Sequence, residues 1–270
     1  MFSDCVIVRG GGDIATGTIH KLHRCGFKVL VLEVEKPTSI RRNVCFSEAV
    51  YDGQAIVEDV KAILVRDREE IERAWKAGVV PVIIDKEGIF IDIIKPSVVV
   101  DGILAKKNLG TNKSMAPITI ALGPGFNAGI DVDVVIETMR GHNLGRLIFE
   151  GYALKNTGIP GEVGGFSEDR VIYSPSEGKI KNVKKIGDIV KAGEVIAYID
   201  KEKVYSKIPG LLRGIIRDEF IVTKGMKIGD VDPRLSEVEN YNTISDKARN
   251  IGGGVLEAIL ILLNKKRHNT

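Results

Sequence analysis

The stretch from Val6 to His20 most constrains this chain. A short apolar run, Val6-Ile7-Val8, stops at three consecutive glycines, and Ile14, Ile19, Leu22 and His23 then recur at helical spacing. Strand, tight turn and helix in that order predict an α/β fold. The glycines also fit the spacing Gly10-x-Gly12-x-x-Ala15 of a dinucleotide-binding turn. Gly10 would make the turn, Gly12 would let a pyrophosphate approach the backbone, and small Ala15 would let the helix pack on the sheet. Free N–H groups at the start of the helix, from Gly11 and Gly12 through Asp13 and Ile14, would hold the phosphates with the help of the helix dipole.

A second apolar run, Phe27 to Glu33, ends in an acid 21 positions beyond Gly12, where a carboxylate reaches a ribose hydroxyl. Glu35, two residues on and on the same strand face, is the reserve ribose ligand. The alternative is a glycine turn that only joins strand to helix. Beyond Pro37 lie Arg41 and Arg42, on a segment expected to leave the carboxyl end of the second strand. There they would clamp a phosphate or carboxylate, or else remain a solvated basic pair. Nearby Cys45 is expected to be an inert, packed thiol.

Further units follow. Ala62–Arg66 is a strand, Asp67 an N-cap for a helix over 69–77, and Val79–Asp85 a strand leading into a turn. Ser97–Asp101 and Ile118–Leu122 are further apolar runs. This order predicts a Rossmann-like, doubly wound, mostly parallel sheet with Asp85, Asp101 and the Gly123–Gly129 loop at carboxyl ends of strands. Gly123 and Gly125 are ligand-contact candidates, or they supply only a positive φ. The run after them, with Val132, Val134 and Ile136 alternating, is expected to be a strand. His142, in a glycine-flanked polar loop, is the general acid/base candidate, with Asp101 as its acidic counterpart and Lys106 a further option.

Composition sets limits. The 270 residues suffice for one large or two modest domains, and 44% hydrophobic with 28% charged residues is ordinary for a globular protein. A net charge of +3 with 6% aromatics gives no sign of a nucleic-acid surface. Cys5, Cys25 and Cys45 have neither metal-ligand spacing nor the even number of a disulfide framework, and no metal site is expected. No apolar run approaches the ~20 residues needed to span a bilayer, so a cytoplasmic chain with no membrane partner is expected.

Past residue 150 the texture changes. A Rossmann-like domain over 1–150 gives way to a β-rich region over 166–234. An apparent internal repeat pairs Gly178 with Gly214 and Gly193 with Gly225. Gly187-Asp-Ile-Val-Lys-Ala-Gly193 resembles the barrel-sandwich hybrid of biotinyl and lipoyl domains, and the count from Gly193 puts Lys203 at the hairpin of their modified lysine. Lys201-Glu-Lys-Val204 is unlike a biotinylation sequence, so no biotin or lipoate is expected and a carrier role through Lys203 is the remote alternative. Over 236–270, Ser245 would cap a helix from Asp246 to Asn264 that packs back on the first domain. Gly252-Gly-Gly254 within it points to close approach of another backbone or a ligand.

Five segments together, Arg9–Gly17, Ile40–Tyr51, Gly123–Phe126, Glu137–His142 and Ser245–Gly254, resemble the YqeB-type accessory proteins of selenium-dependent molybdenum hydroxylase systems. Those are related more distantly to XdhC-like maturation factors. The resemblance implies cytoplasmic maturation or cofactor delivery, with a molybdenum hydroxylase apoenzyme as partner and molybdopterin cytosine dinucleotide or another nucleotide at the glycine loop. Self-association stays open. The competing reading is an NAD(P)-dependent oxidoreductase using the same loop.

Overall fold

In the computed structural model, which describes residues 5–159 and 161–268, the chain divides into two compact units. The first comprises residues up to 37, 45–156 and 244 onward, and the second comprises 38–44 and 157–243.

The first unit runs β1 (Cys5–Arg9), α1 (Asp13–Arg24), β2 (Lys28–Glu33), α2 (Ala49–Asp52), β3 (Gln54–Val57), β4 (Val60–Val65), α3 (Arg68–Lys76), β5 (Val80–Ile84), α4 (Ile89–Ile94) and β6 (Val98–Asp101). It continues through β7 (Ile118–Leu122), β8 (Asn127–Ala128), β9 (Val134–Ile136), β10 (Leu147–Ile148) and β11 (Gly151–Tyr152), and it is completed by the terminal helix α5 (Asp246–His268). A nine-stranded sheet has the order β10-β9-β7-β6-β1-β2-β5-β4-β3, parallel except for its antiparallel edge strands β10 and β3. The chain builds outward from β1 through β2 to one side and, after β5, through β6 to the other, so the winding reverses at β1.

Alternation along the central strands buries both faces. Ile7, Leu30, Leu32 and Val99 pack with Ile71 and Ala74 of α3 and Ile91 of α4. Val6, Val8, Val29, Val31, Val98 and Val100 are also buried and point the other way. Helix α5 packs on α1, β7 and β9, and neither α1 nor α5 enters the first cluster, so they cover this second face. Asp67 caps α3 as expected, accepting the Glu70 N–H at 2.8 Å. Ser245 accepts the Ala248 N–H at 3.2 Å, and α5 runs four residues beyond the expected Asn264. Helix α4 was not foreseen, because Ile89-Phe-Ile-Asp-Ile-Ile94 is too short and too uniformly apolar to show a helical period. Of the strand expected over 130–138, the sheet keeps Val134–Ile136, since Asp131 and Gly129 close a turn with Asn127 and Val132.

The second unit contains β12 (Val171–Tyr173), β13 (Gly178–Asn182), β14 (Ile189–Val190), β15 (Val195–Ile199), β16 (Glu202–Tyr205), β17 (Gly210–Ile215), β18 (Ile221–Val222) and β19 (Lys227–Asp232). They form two four-stranded antiparallel sheets, β12-β19-β17-β14 and β16-β15-β13-β18. Each half of the repeat lends its short strand to the other half's sheet: Gly178 of β13 pairs with Val222 of β18, and Gly210 of β17 with Val190 of β14. The true counterpart of Gly178 is therefore Gly210, not Gly214. Both begin a strand with positive φ (147° and 155°), whereas Gly214 admits the backbone of Ile40, which stands 2.9 Å from where its Cβ would be. Gly193 and Gly225 do correspond, with φ of 77° and 78°. Lys203 is not at the hairpin tip: Asp200 and Lys201 turn the chain, and Lys203 lies in β16 opposite Tyr198.

The glycines of α5 divide by what they face. A Cβ on Gly252 would lie 2.7 Å from the Gly17 carbonyl oxygen, and one on Gly17 would lie 2.5 Å from that of Ala248, so α1 and α5 cross with backbones nearly touching. Gly254 abuts the Gly145 carbonyl, while a Cβ on Gly253 would meet only the end of the Lys21 side chain, 3.7 Å away. Gly253→Ala is expected to stabilise the protein by up to ~1 kcal/mol through helix propensity. Gly252→Ala, which must push two helices apart, is expected to lose ~1–3 kcal/mol. Urea denaturation of the two variants separates these outcomes.

Candidate functional site

A cleft of about 320 Å³ opens at the carboxyl ends of β1, β2 and β5, lined by Arg9, Gly10, Leu32, Glu33, Asp85 and Leu109 among others. It adjoins β1, where the winding reverses, which is where open α/β sheets hold ligands. Its volume is at the small end of ligand pockets and suits a nucleoside-sized group.

Glu33 organises the rim. Its Oε2 accepts the Gly11 N–H at 2.7 Å and its Oε1 accepts the Val34 N–H at 2.8 Å. Burial pushes its carboxyl above the ordinary range, opposed by these two backbone bonds. Each oxygen keeps a lone pair for a hydroxyl donor in the cleft. Glu35, by contrast, is exposed and does not line the cleft.

Arg9 forms part of the wall as a buried cation. Its Nη1 donates to the Thr111 hydroxyl at 2.5 Å, Thr111 donates to Asp101 Oδ2 at 2.6 Å, and its Nη2 donates to the Lys86 carbonyl at 3.3 Å. Asp101 also accepts the Ile103 N–H, and it is only 2% exposed. Burial raises its carboxyl pKa, partly offset by the Thr111 hydroxyl and by Arg9. The arrangement makes Asp101 a group that positions Arg9 through Thr111. Asp85 likewise faces inward, its two oxygens accepting the N–H groups of Gly88, Ile89 and Phe90 and starting α4.

The glycine loop is shaped largely by its own chain. Gly10 has φ of 92° and fits against Gly102 after β6. Gly11 fits against Ser47, whose N–H donates to the Gly11 carbonyl at 2.9 Å. Ala15 sits so close to Gly102 that a Cβ there would lie 2.8 Å from that of Ala15, in keeping with the small residue expected at that position. Gly12 is the α1 N-cap with φ −67° and ψ 177°, a backbone open to other residues. Asp13 Oδ1 accepts the Ile14 N–H, placing an acid in the first turn.

Other candidates stand elsewhere. Arg41 and Arg42 belong to the second unit and donate to the carbonyls of Thr243 (3.1 Å) and Ile215 (2.9 Å). Gly123 and Gly125 have φ of 78° and 111° and fit against Thr138 and the Lys107 backbone, which accounts for both glycines. His142 lies exposed between α5-facing loop residues and makes no hydrogen bond or ion pair among the described residues. Cys45 is buried, and none of the described cysteines forms a disulfide. His20 of α1 is buried with its Nε2 2.8 Å from Asp59 Oδ1 and 3.6 Å from Glu58 Oε2. Each carboxylate also pairs with an arginine, Asp59 with Arg24 and Glu58 with Arg249, so the group reads as an ion-pair network. Only the separation of these residues in sequence hid it.

The architecture is mixed α/β, with a large, mostly parallel sheet and two small antiparallel sheets. Over 260 residues, 96% of its length, the chain is 49% identical to the uncharacterized protein YqeB of Escherichia coli (strain K12). The resemblance to YqeB-type proteins thus extends over nearly the whole chain, which spans about half (48%) of that curated relative. No family model matches. Among solved structures, the product-bound ectoine utilization protein EutE (DoeB) from Ruegeria pomeroyi is 10% identical with a TM-score of 0.26, covering 84% of this chain and 85% of that one. An aspartoacylase family protein from Mesorhizobium loti is 10% identical with a TM-score of 0.28, covering 86% of each. Scores this low bear on neither fold nor activity. No helix among the described residues is long and apolar enough to cross a membrane.

An acid whose folded pKa is raised stabilises the fold below its unfolded pKa, and that contribution disappears as pH climbs through the folded value. Asp101 and Glu33 are both of this kind. The unfolding free energy of Asp101→Asn should therefore fall less steeply than wild type between the ordinary carboxylate range and neutrality, as read from urea curves at a series of pH values. Equal slopes would show that Asp101 ionises as it does in water.

Proposed function

We propose that this protein is a cytoplasmic accessory protein for the maturation of a molybdenum hydroxylase, in a selenium-dependent system, and that it binds a nucleotide or molybdopterin dinucleotide at the glycine loop. The observation that carries the binding is Glu33: a rim carboxylate hydrogen-bonded to Gly11, beside a nucleoside-sized cleft at the strand where the winding reverses. The first unit reads as a Rossmann-like, doubly wound domain, distantly similar to XdhC-like maturation factors. The second, with its exchanged strands, reads as a barrel-sandwich hybrid used as a docking scaffold for the apoenzyme. The role itself comes from the likeness to YqeB-type proteins.

The residues fit the sugar end of such a ligand well. Glu33 would accept both ribose hydroxyls, Leu32 and Leu109 would flank the base, and Arg9 would stay fixed by Thr111 and Asp101. The pyrophosphate end fits less simply, since Glu33 already occupies the Gly11 N–H and Asp13 places negative charge where the helix dipole favours an anion. When bound, the dinucleotide would supply the molybdenum-ligating dithiolene, while the chain would orient and shield it.

Native mass spectrometry of the purified protein, followed by calorimetric titration with CTP, molybdopterin cytosine dinucleotide, NAD and NADP, tests this reading. Glu33→Gln is expected to weaken the preferred ligand ~10–100-fold by removing a charged hydrogen-bond acceptor. Gly12→Val should abolish binding with the fold intact. A nicotinamide nucleotide bound in preference to the pterin would transfer the assignment to an NAD(P)-dependent oxidoreductase, and binding of neither would overturn the cleft's role.

A further inference from the structure

Lys247 is the second residue of α5. The crossing of α1 and α5 at Gly17, Ala248 and Gly252 brings the first turns of both helices together, since Gly17 is one turn from Asp13 and Ala248 follows Lys247 directly. The charged groups facing the Lys247 ammonium are Arg140, Asp13, Asp246 and Glu137. It therefore stands where β1 runs into the glycine loop and where β9 ends.

Its acidic neighbours also accept from other donors. Asp246 holds Arg140 at 2.6 Å. The two oxygens of Glu137 accept the N–H groups of Met139 (2.7 Å) and Leu154 (2.8 Å). Asp13 Oδ1 accepts the Ile14 N–H at 2.9 Å. Lys247, only partly exposed, makes no hydrogen bond or ion pair of its own among the described residues. A half-buried ammonium that faces carboxylates without bonding to one keeps its donors available for a ligand.

The glycine loop needs such a cation. With Asp13 in the first turn, the positive end of α1 is offset, and an incoming phosphate would meet a carboxylate. We propose that Lys247 is the contact for the phosphate group of the ligand, reaching from α5 to the glycine loop while Glu33 holds the ribose on the other side. The assignment rests on the nucleotide reading given above and names the residue that its phosphate end requires. Burial, reinforced by Arg140, holds the Lys247 pKa below the ordinary lysine value, which leaves the amine easier to acylate near neutrality than an exposed lysine.

Trace acetylation of the wild-type protein, with each lysine followed by peptide mass spectrometry, tests this without any variant. Lys247 is expected to be among the fast-reacting lysines and to be protected by CTP, by NAD or by inorganic pyrophosphate. Calorimetry adds a sign test: Lys247→Ala should weaken nucleotide binding ~10-fold or more, whereas Asp13→Asn, which removes a repulsion, should tighten it a few-fold. A purely structural lysine would not give opposite signs at the two positions. If a nucleotide binds in a Glu33-dependent way but neither protects Lys247 nor responds to Lys247→Ala, the assignment fails and the cleft stands. If pyrophosphate protects Lys247 and no nucleoside adds affinity, the lysine assignment holds and the cleft reading fails. Protection by none of these ligands overturns the assignment.

Discussion

The first unit depends on two helix backbones being allowed to touch. Gly17 on α1 and Gly252 on α5 together remove the Cβ atoms that would otherwise hold the helices at the usual 8–10 Å separation. The contact fixes where α5 begins, and with it the position of Lys247, Asp246 and the Arg140 that Asp246 holds. It also covers the face of the sheet opposite α3 and α4. The glycines cost helix propensity, and close packing of two long helices offsets that cost.

Beside this packing runs a chain of buried polar groups. Arg9, Thr111 and Asp101 connect β1, the loop after β6 and the end of β6, and they leave Arg9 immobile at the cleft wall. Glu33 does the same work on the rim, tied to the loop it would share with a ligand. Rigid polar groups facing a small cleft lower the ordering cost of binding, since little side-chain freedom remains to be lost.

Much of this was legible in the sequence. The glycine spacing, the run ending at Glu33, the cap at Asp67 and the helix starting at Asp246 all follow local rules that the structure keeps, because each depends on neighbours within a few residues. What could not be read depends on distant partners. Arg41 and Arg42 look like a phosphate clamp until Thr243 and Ile215 are seen to accept them. Gly214 looks like the match of Gly178 by spacing, yet the strand exchange assigns that place to Gly210. Lys247 is one of many lysines in the sequence. Only the crossing of α1 and α5 brings it near Asp13, more than two hundred positions away.

The segment 38–44 is joined to the second unit although residues 45–156 and most of a sheet separate it from the rest of that unit. Ile40 presses on Gly214, and Arg42 binds the Ile215 carbonyl. A gene fragment beginning at residue 157 would therefore encode a β-unit with part of its own surface left out. The second unit is thus not one continuous stretch of chain, and cutting it out as one would remove the Ile40 contact that Gly214 makes room for.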